Sequence, residues 1–129
     1  MRKQIRSSAV GTTPQSAWDL EELMERLDGD QDFLRELLVM FRQDARVNLD
    51  KSLVAIGTGD YERLSRTAHT MKGMLRNLSM GTAAEKAAAL ETASQEKRQG
   101  DSRQLLDELV KELEGILPDV EAHLAGAKP

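Results

Sequence analysis

An imidazole at His69, an ammonium at Lys72 and a bare backbone at Gly73 follow one another at steps of three residues and one. On a helix, side chains three or four positions apart are surface neighbours, so Lys72 can reach a group attached to His69. A free imidazole titrates near pH 6.5, to within about a unit, so around neutral pH its ring lone pair is available to attack phosphorus. Lys72 would supply positive charge for phosphoryl oxygens, and Arg76, one turn on, could add to it. No base is required to activate such a nucleophile, so this reading needs no carboxylate in contact with His69. Gly73 is the odd member, because glycine inside a helix costs roughly 1 kcal/mol relative to alanine. An opening that lets another protein's loop come close to the imidazole would offset that cost.

The element that must carry these groups is a helix. Leu64, Ala68, Met71, Leu75 and Leu78 recur at four- and three-residue steps, the spacing of one apolar helical face. His69 lies well off that stripe, on the side of Glu62, Ser65, Lys72, Gly73 and Arg76. The histidine is therefore expected to see water.

Ala68-His69-Thr70-Met71-Lys72-Gly73 resembles the His-x-x-Lys-Gly signature of histidine-containing phosphotransfer (HPt) domains. Phe41-Arg42-Gln43-Asp44, Gly59-Asp60, Gly81 and the pair Leu90-Glu91 are similar to further features of that family, and the likeness runs from Trp18 to Leu124. Met71 stands where the family usually has leucine, a volume-conserving change, and Met74 where it usually has a small residue. The resemblance implies that His69 is a phosphoacceptor taking its phosphoryl group from an aspartyl phosphate on a receiver domain and passing it to another. It implies receiver domains or a hybrid sensor histidine kinase as partners, with Mg²⁺ held by the receiver and no cofactor on this chain. Lys72 would neutralise phosphate charge and Gly73 would admit the partner. Ser65, Arg66, Arg76 and an exposed part of Met40 are candidate partner contacts. A chemotaxis-type kinase's phosphoacceptor domain and a non-catalytic helical interaction module are the alternatives. A kinase dimerisation domain fits less well, because Thr70 rather than an acidic residue follows His69 and one chain supplies four long helices.

Read in order, residues 1–15 show no periodicity and are expected to be a flexible arm or linker, with the bundle over 16–125 and a tail over 126–129. The expected fold is all-α: an antiparallel up-down four-helix bundle with a short additional N-terminal helix. Ser16, with Asp19 three residues on, would cap the short helix, anchored by Trp18 and ended by Asp28-Gly29-Asp30. Asp30 would open a long helix to about Ile56, inward through Leu34, Leu37, Leu38, Phe41, Ala45, Leu49, Leu53 and Ile56. Asp60 would cap the histidine helix, running from Tyr61 to about Met80. Gly81 would break it, and Thr82 to Glu85 would form a capping box for an alanine-rich helix closed by Gly100. Asp101 would open the last helix, inward through Leu105, Leu109, Leu113, Ile116, Val120 and Leu124, with a kink or early end near Leu117 from Pro118. His123 is expected to be a solvated surface residue without a role.

Composition bounds the rest. A chain of 129 residues, 40% hydrophobic, suits one domain. With 3% aromatics, its core must come from leucine, alanine, methionine and valine. The absence of cysteine excludes disulfides and thiolate chemistry, and two histidines leave little for a metal site. A net charge of −4 argues against a nucleic-acid footprint. No apolar run is long enough to span a bilayer, and no secretory signal opens the chain, so a cytoplasmic monomer is expected. There is no phosphate-binding glycine loop or dinucleotide fingerprint, so the chain is not expected to be an enzyme using ATP itself.

Overall fold

The computed structural model describes residues 17–126, which contain five helices and no strand. They are α1 (Leu20–Arg26), α2 (Gln31–Thr58), α3 (Tyr61–Asn77), α4 (Gly81–Gln95) and α5 (Gln99–Leu124). The arm expected over residues 1–15, the Ser16 cap and the end of the tail lie outside the described residues.

Three aspartates start helices by giving an orphan first-turn N–H a partner. The Asp19 carboxylate accepts from the Glu22 N–H, Asp30 from Phe33 and Asp60 from Arg63, each at 3.0 Å. The cap of α1 is thus Asp19, and Trp18 lies just before the helix rather than in it. At the other end of α2, Gly59 takes a left-handed conformation, φ 72°, and its N–H returns to the carbonyls of Ala55 and Ile56. That turn is so short that α3 folds straight back along α2. Asn48 lies across from Thr70 and Ser52 from Thr67, so the two helices run antiparallel.

Helix α2 packs on α3 and α5, and α4 packs on the same two, closing a ring around one core. Leu38, Phe41, Leu64, Met71, Leu75, Leu90, Leu109 and Leu113 are buried there. Each large apolar side chain so removed from water stabilises by about 1.5–3 kcal/mol. The face of α3 is the one its spacing announced, with Leu64, Ala68, Met71, Leu75 and Leu78 all buried.

Several sequence-based expectations need correction. In α2, Leu53 is exposed, and Ser52 and Ala55 are buried in its place. The Ser52 hydroxyl meets Thr67 Oγ1 at 2.8 Å, so the inward position between the helices is filled by a hydrogen-bonded polar pair that an apolar pattern cannot reveal. Helix α3 ends at Asn77 rather than Met80, and the reversal falls at Ser79, φ 59°, not at Gly81. A non-glycine left-handed residue costs about 1–2 kcal/mol. Here the Asp19 N–H donates to the Ser79 carbonyl at 2.9 Å and the Arg26 guanidinium donates to Ser79 Oγ at 2.7 Å, offsetting that cost. The capping box at Thr82 does not form the start of α4, because Gly81 is already helical and buried Met80 is the cap residue. Likewise α4 turns at Lys97, φ 56°, and Gly100 lies inside α5, which starts at Gln99 rather than Asp101.

Pro118 neither ends α5 nor shortens it, since the helix continues to Leu124. The proline ring is exposed, so the carbonyl one turn before it can be hydrated, and Val120 and Leu124 bury beyond it. In the first turns of α5, Leu106 is buried and Leu105 only partly so. His123 is not a purely solvated residue: its ring is half-buried and meets Trp18 edge to face, 6.4 Å between centroids.

Candidate functional site

Because the row from Leu64 to Leu75 is locked into the core, the roll of α3 is fixed and His69 must point outward. Its side chain is 66% exposed. Helix α4, packed beside α3, is fixed in the same way by buried Ala87 and Leu90, and that roll delivers Glu91 to the histidine.

The Glu91 carboxylate bridges the two functional side chains. Oε2 lies 2.9 Å from His69 Nδ1, and Oε1 accepts from Lys72 Nζ at 2.6 Å. Lys72 and Glu91 are only 19% and 15% exposed, so the bridge is sheltered while the imidazole it holds is open. Lys72 holds the Glu91 carboxyl below its ordinary value of 4.5; burial works against this and the His69 hydrogen bond adds to it. Glu91 is therefore ionised near neutral pH. An ionised carboxylate can only accept, so in the neutral ring Nδ1 carries the hydrogen and Nε2 keeps the lone pair. The arrangement selects a tautomer and aims one nitrogen away from the protein.

Glu91 is the residue that sequence reasoning missed. The expectation that no carboxylate need touch His69 is corrected by this contact, and Lys72 is not a free surface charge but one already engaged by an anion. The signal was the pair Leu90-Glu91, whose buried leucine sets the glutamate on the neighbouring face, but its target lies 22 residues away on another helix.

Gly73 is exposed, and a Cβ built on it would meet nothing within 4 Å. Tight packing against a neighbouring helix is therefore not the reason for a glycine there; the open space lies outside the chain. Ser65 and Arg66 line a groove between α3 and α4 together with Tyr61, Glu62, Ser94, Gln95 and Lys97. Arg66 is exposed and reaches Glu62 at 3.5 Å. Arg76 is exposed on the turn after Lys72, and its carbonyl accepts from Arg26. Met40 is exposed on α2. No group of three or more histidine, cysteine, aspartate or glutamate side chains among the described residues is arranged to hold a metal ion. No helix among them is long and apolar enough to cross a membrane.

Comparison with curated proteins and with solved structures gave no match. A family model does match: the Hpt domain, over residues 36–122. That span begins within α2 and ends within α5, and it contains His69, Lys72, Gly73 and Glu91. Covering most of the chain and every residue of the bridge, it makes this chain a member of the Hpt domain family.

Proposed function

We propose that this chain is a histidine phosphocarrier of a two-component phosphorelay, with His69 accepting a phosphoryl group from a receiver-domain aspartate and returning it to a second receiver. The observation that carries the reading is the exposed imidazole whose Nδ1 is held by an ionised glutamate. The Nε2 lone pair attacks the phosphorus of the aspartyl phosphate. The Nε2–P bond forms, the P–O bond to the acyl oxygen breaks, and the aspartate leaves as its carboxylate. No proton moves in this step, because Nδ1 keeps its hydrogen and donates it to Glu91 throughout. The ring gains positive charge as the bond forms, and the Glu91 carboxylate opposite stabilises it. Lys72, held against Glu91, puts an ammonium one turn from the incoming oxygens. Positioning and charge neutralisation are the main needs of phosphoryl transfer. The partner brings the Mg²⁺ and most of the catalysis, so this chain acts as a carrier, not an enzyme.

In this reading α2 to α5 form an antiparallel up-down four-helix bundle with α1 across one end, and residues 16–125 are the carrier domain of a cytoplasmic monomer. Gly73 admits the partner, and Ser65, Arg66, Arg76 and Met40 contact it. The test is His69→Gln, which keeps an exposed polar side chain. The variant is expected to retain its helical spectrum and melting temperature and to accept no phosphate from any receiver that labels the wild-type chain. Labelling of the variant at the wild-type rate would overturn the assignment.

A further inference from the structure

Helix α1 precedes residues 36–122, which the family model matches, and it supplies no residue to the bridge. It is nonetheless firmly seated, with Leu23 fully buried and Trp18 nearly so. Its polar groups converge on one place, the turn from α3 to α4. Arg26 Nη2 donates to the Asn77 carbonyl at 3.0 Å and to Ser79 Oγ at 2.7 Å, with the Arg76 carbonyl at 3.5 Å. The Asp19 N–H donates to the Ser79 carbonyl at 2.9 Å.

That turn closes α3 in a way that usually takes a glycine. The Met80 N–H returns to the Leu75 carbonyl at 3.0 Å and the Ser79 N–H to the Arg76 carbonyl at 3.1 Å, with Ser79 left-handed, φ 59°. Serine disfavours that conformation, and the bonds from α1 supply the support that a glycine would not need. Arg26 also sets a cation at the negative end of α3.

The turn matters at the site because α4 has little else to fix how far it runs along α3. Its buried apolar face is Ala83, Ala84, Ala87 and Ala93, with Leu90 the single large apolar side chain in the helix. Alanines decide which face turns inward, but they raise no ridge tall enough to interlock with a neighbouring helix. Axial register is therefore set at the start of α4, beside Ser79. Glu91 and His69 lie about three helical turns from Ser79, one on either side of it. A hydrogen bond weakens steeply as it bends, so a slip of α4 by a fraction of an ångström costs Glu91 a partner. Lys72, on a flexible four-carbon stem, follows the carboxylate; the imidazole, on a short stem, cannot.

We propose that Arg26 is a positioning residue for His69: by holding Ser79 left-handed, it sets the register of α4 on α3 that brings Glu91 to the imidazole. The inference deepens the phosphocarrier reading, and rests on it for the transfer rate but not for the ring tautomer.

The test compares Arg26→Ala with the double variant Arg26→Ala, Ser79→Gly. The readouts are the ¹⁵N shifts of the His69 ring, the rate of phosphate acceptance from a receiver that labels the wild-type chain, and the thermal midpoint. Arg26 is exposed and buried Leu23 keeps α1 seated, so both variants are expected to fold. In Arg26→Ala the ring hydrogen is expected to divide between Nδ1 and Nε2. Acceptance should slow by about threefold or more, part of the loss that follows when a bond to a charged group goes. In the double variant both should return to wild type, because glycine takes the left-handed conformation unaided. A ring still protonated at Nδ1 in Arg26→Ala, even with a lowered midpoint, would overturn the proposal and leave Arg26 a purely stabilising role. A divided ring hydrogen that Ser79→Gly does not restore would also overturn it, since Arg26 would then act otherwise than through Ser79. If no receiver labels the wild-type chain, the carrier reading falls, and the ring shifts by themselves uphold or overturn the role of Arg26.

Discussion

Replacing Glu91 by glutamine keeps the size of the side chain and removes its charge, and the consequence follows from the bridge. The carboxylate presents an acceptor oxygen to each partner, at 2.9 Å from His69 Nδ1 and 2.6 Å from Lys72 Nζ. An amide has one acceptor and one donor. Lys72, always a donor, claims the amide oxygen, so the amide N–H faces His69 Nδ1, which can pair with it only by becoming the acceptor. The ring hydrogen then moves to Nε2, the nitrogen that must attack. A hydrogen bond to a charged group is worth about 1.5–3 kcal/mol. At 1.36 kcal/mol per factor of ten, losing it from the reactive form slows transfer by about 10- to 100-fold. The assay is the rate of phosphate acceptance from a fixed receiver, read beside the ¹⁵N shifts of the His69 ring, which report the tautomer directly. The circular dichroism spectrum should be unchanged. Transfer within twofold of wild type, or a ring still protonated at Nδ1 in the variant, would refute the claim that Glu91 sets the nucleophile.

The same carboxylate gives a pH dependence. Its folded-state pKa is depressed, so its contribution to stability is full above the ordinary value of 4.5 and is lost as pH falls through the lower folded value; denaturant titrations from pH 7 to 3 should show the wild-type advantage over Glu91→Gln vanishing on the acid side. Gly73→Ala should raise stability by about 1 kcal/mol, because the added methyl enters open space, whereas Gly73→Glu should leave the fold intact and block receiver-driven transfer; unchanged transfer in Gly73→Glu would show that the partner does not approach there. Pro118→Ala restores a backbone donor inside α5 and should raise the unfolding free energy by roughly 1–3 kcal/mol; an unchanged midpoint would mean that water already satisfies the carbonyl one turn before it.

What could be read from the sequence followed from local spacing. The outward direction of His69 was legible because Leu64, Ala68, Met71 and Leu75 fix the roll of α3 without help from elsewhere. Asp30 and Asp60 were legible as caps, since a cap and the N–H it serves lie within three residues. What failed was what another helix decides. Ser79 and Lys97 turn the chain in conformations that glycine usually supplies, so nearby Gly81 and Gly100 drew the boundaries toward themselves. At Ser79 the supporting bonds come from Asp19 and Arg26, more than fifty positions back. Leu53 was drawn inward for its apolarity, whereas Ser52 holds that position through a hydroxyl on α3. Glu91 was invisible for the same reason, because its role exists only once α3 and α4 are packed.

The most direct measurement locates the phosphate itself. The chain is incubated with a panel of phosphorylated receivers, quenched in base, digested and mapped by mass spectrometry. The account predicts acid-labile, base-stable phosphate on His69 at Nε2 within seconds of exposure to one or two receivers. Phosphate on His123 instead, or none on a folded chain from any receiver, would contradict it.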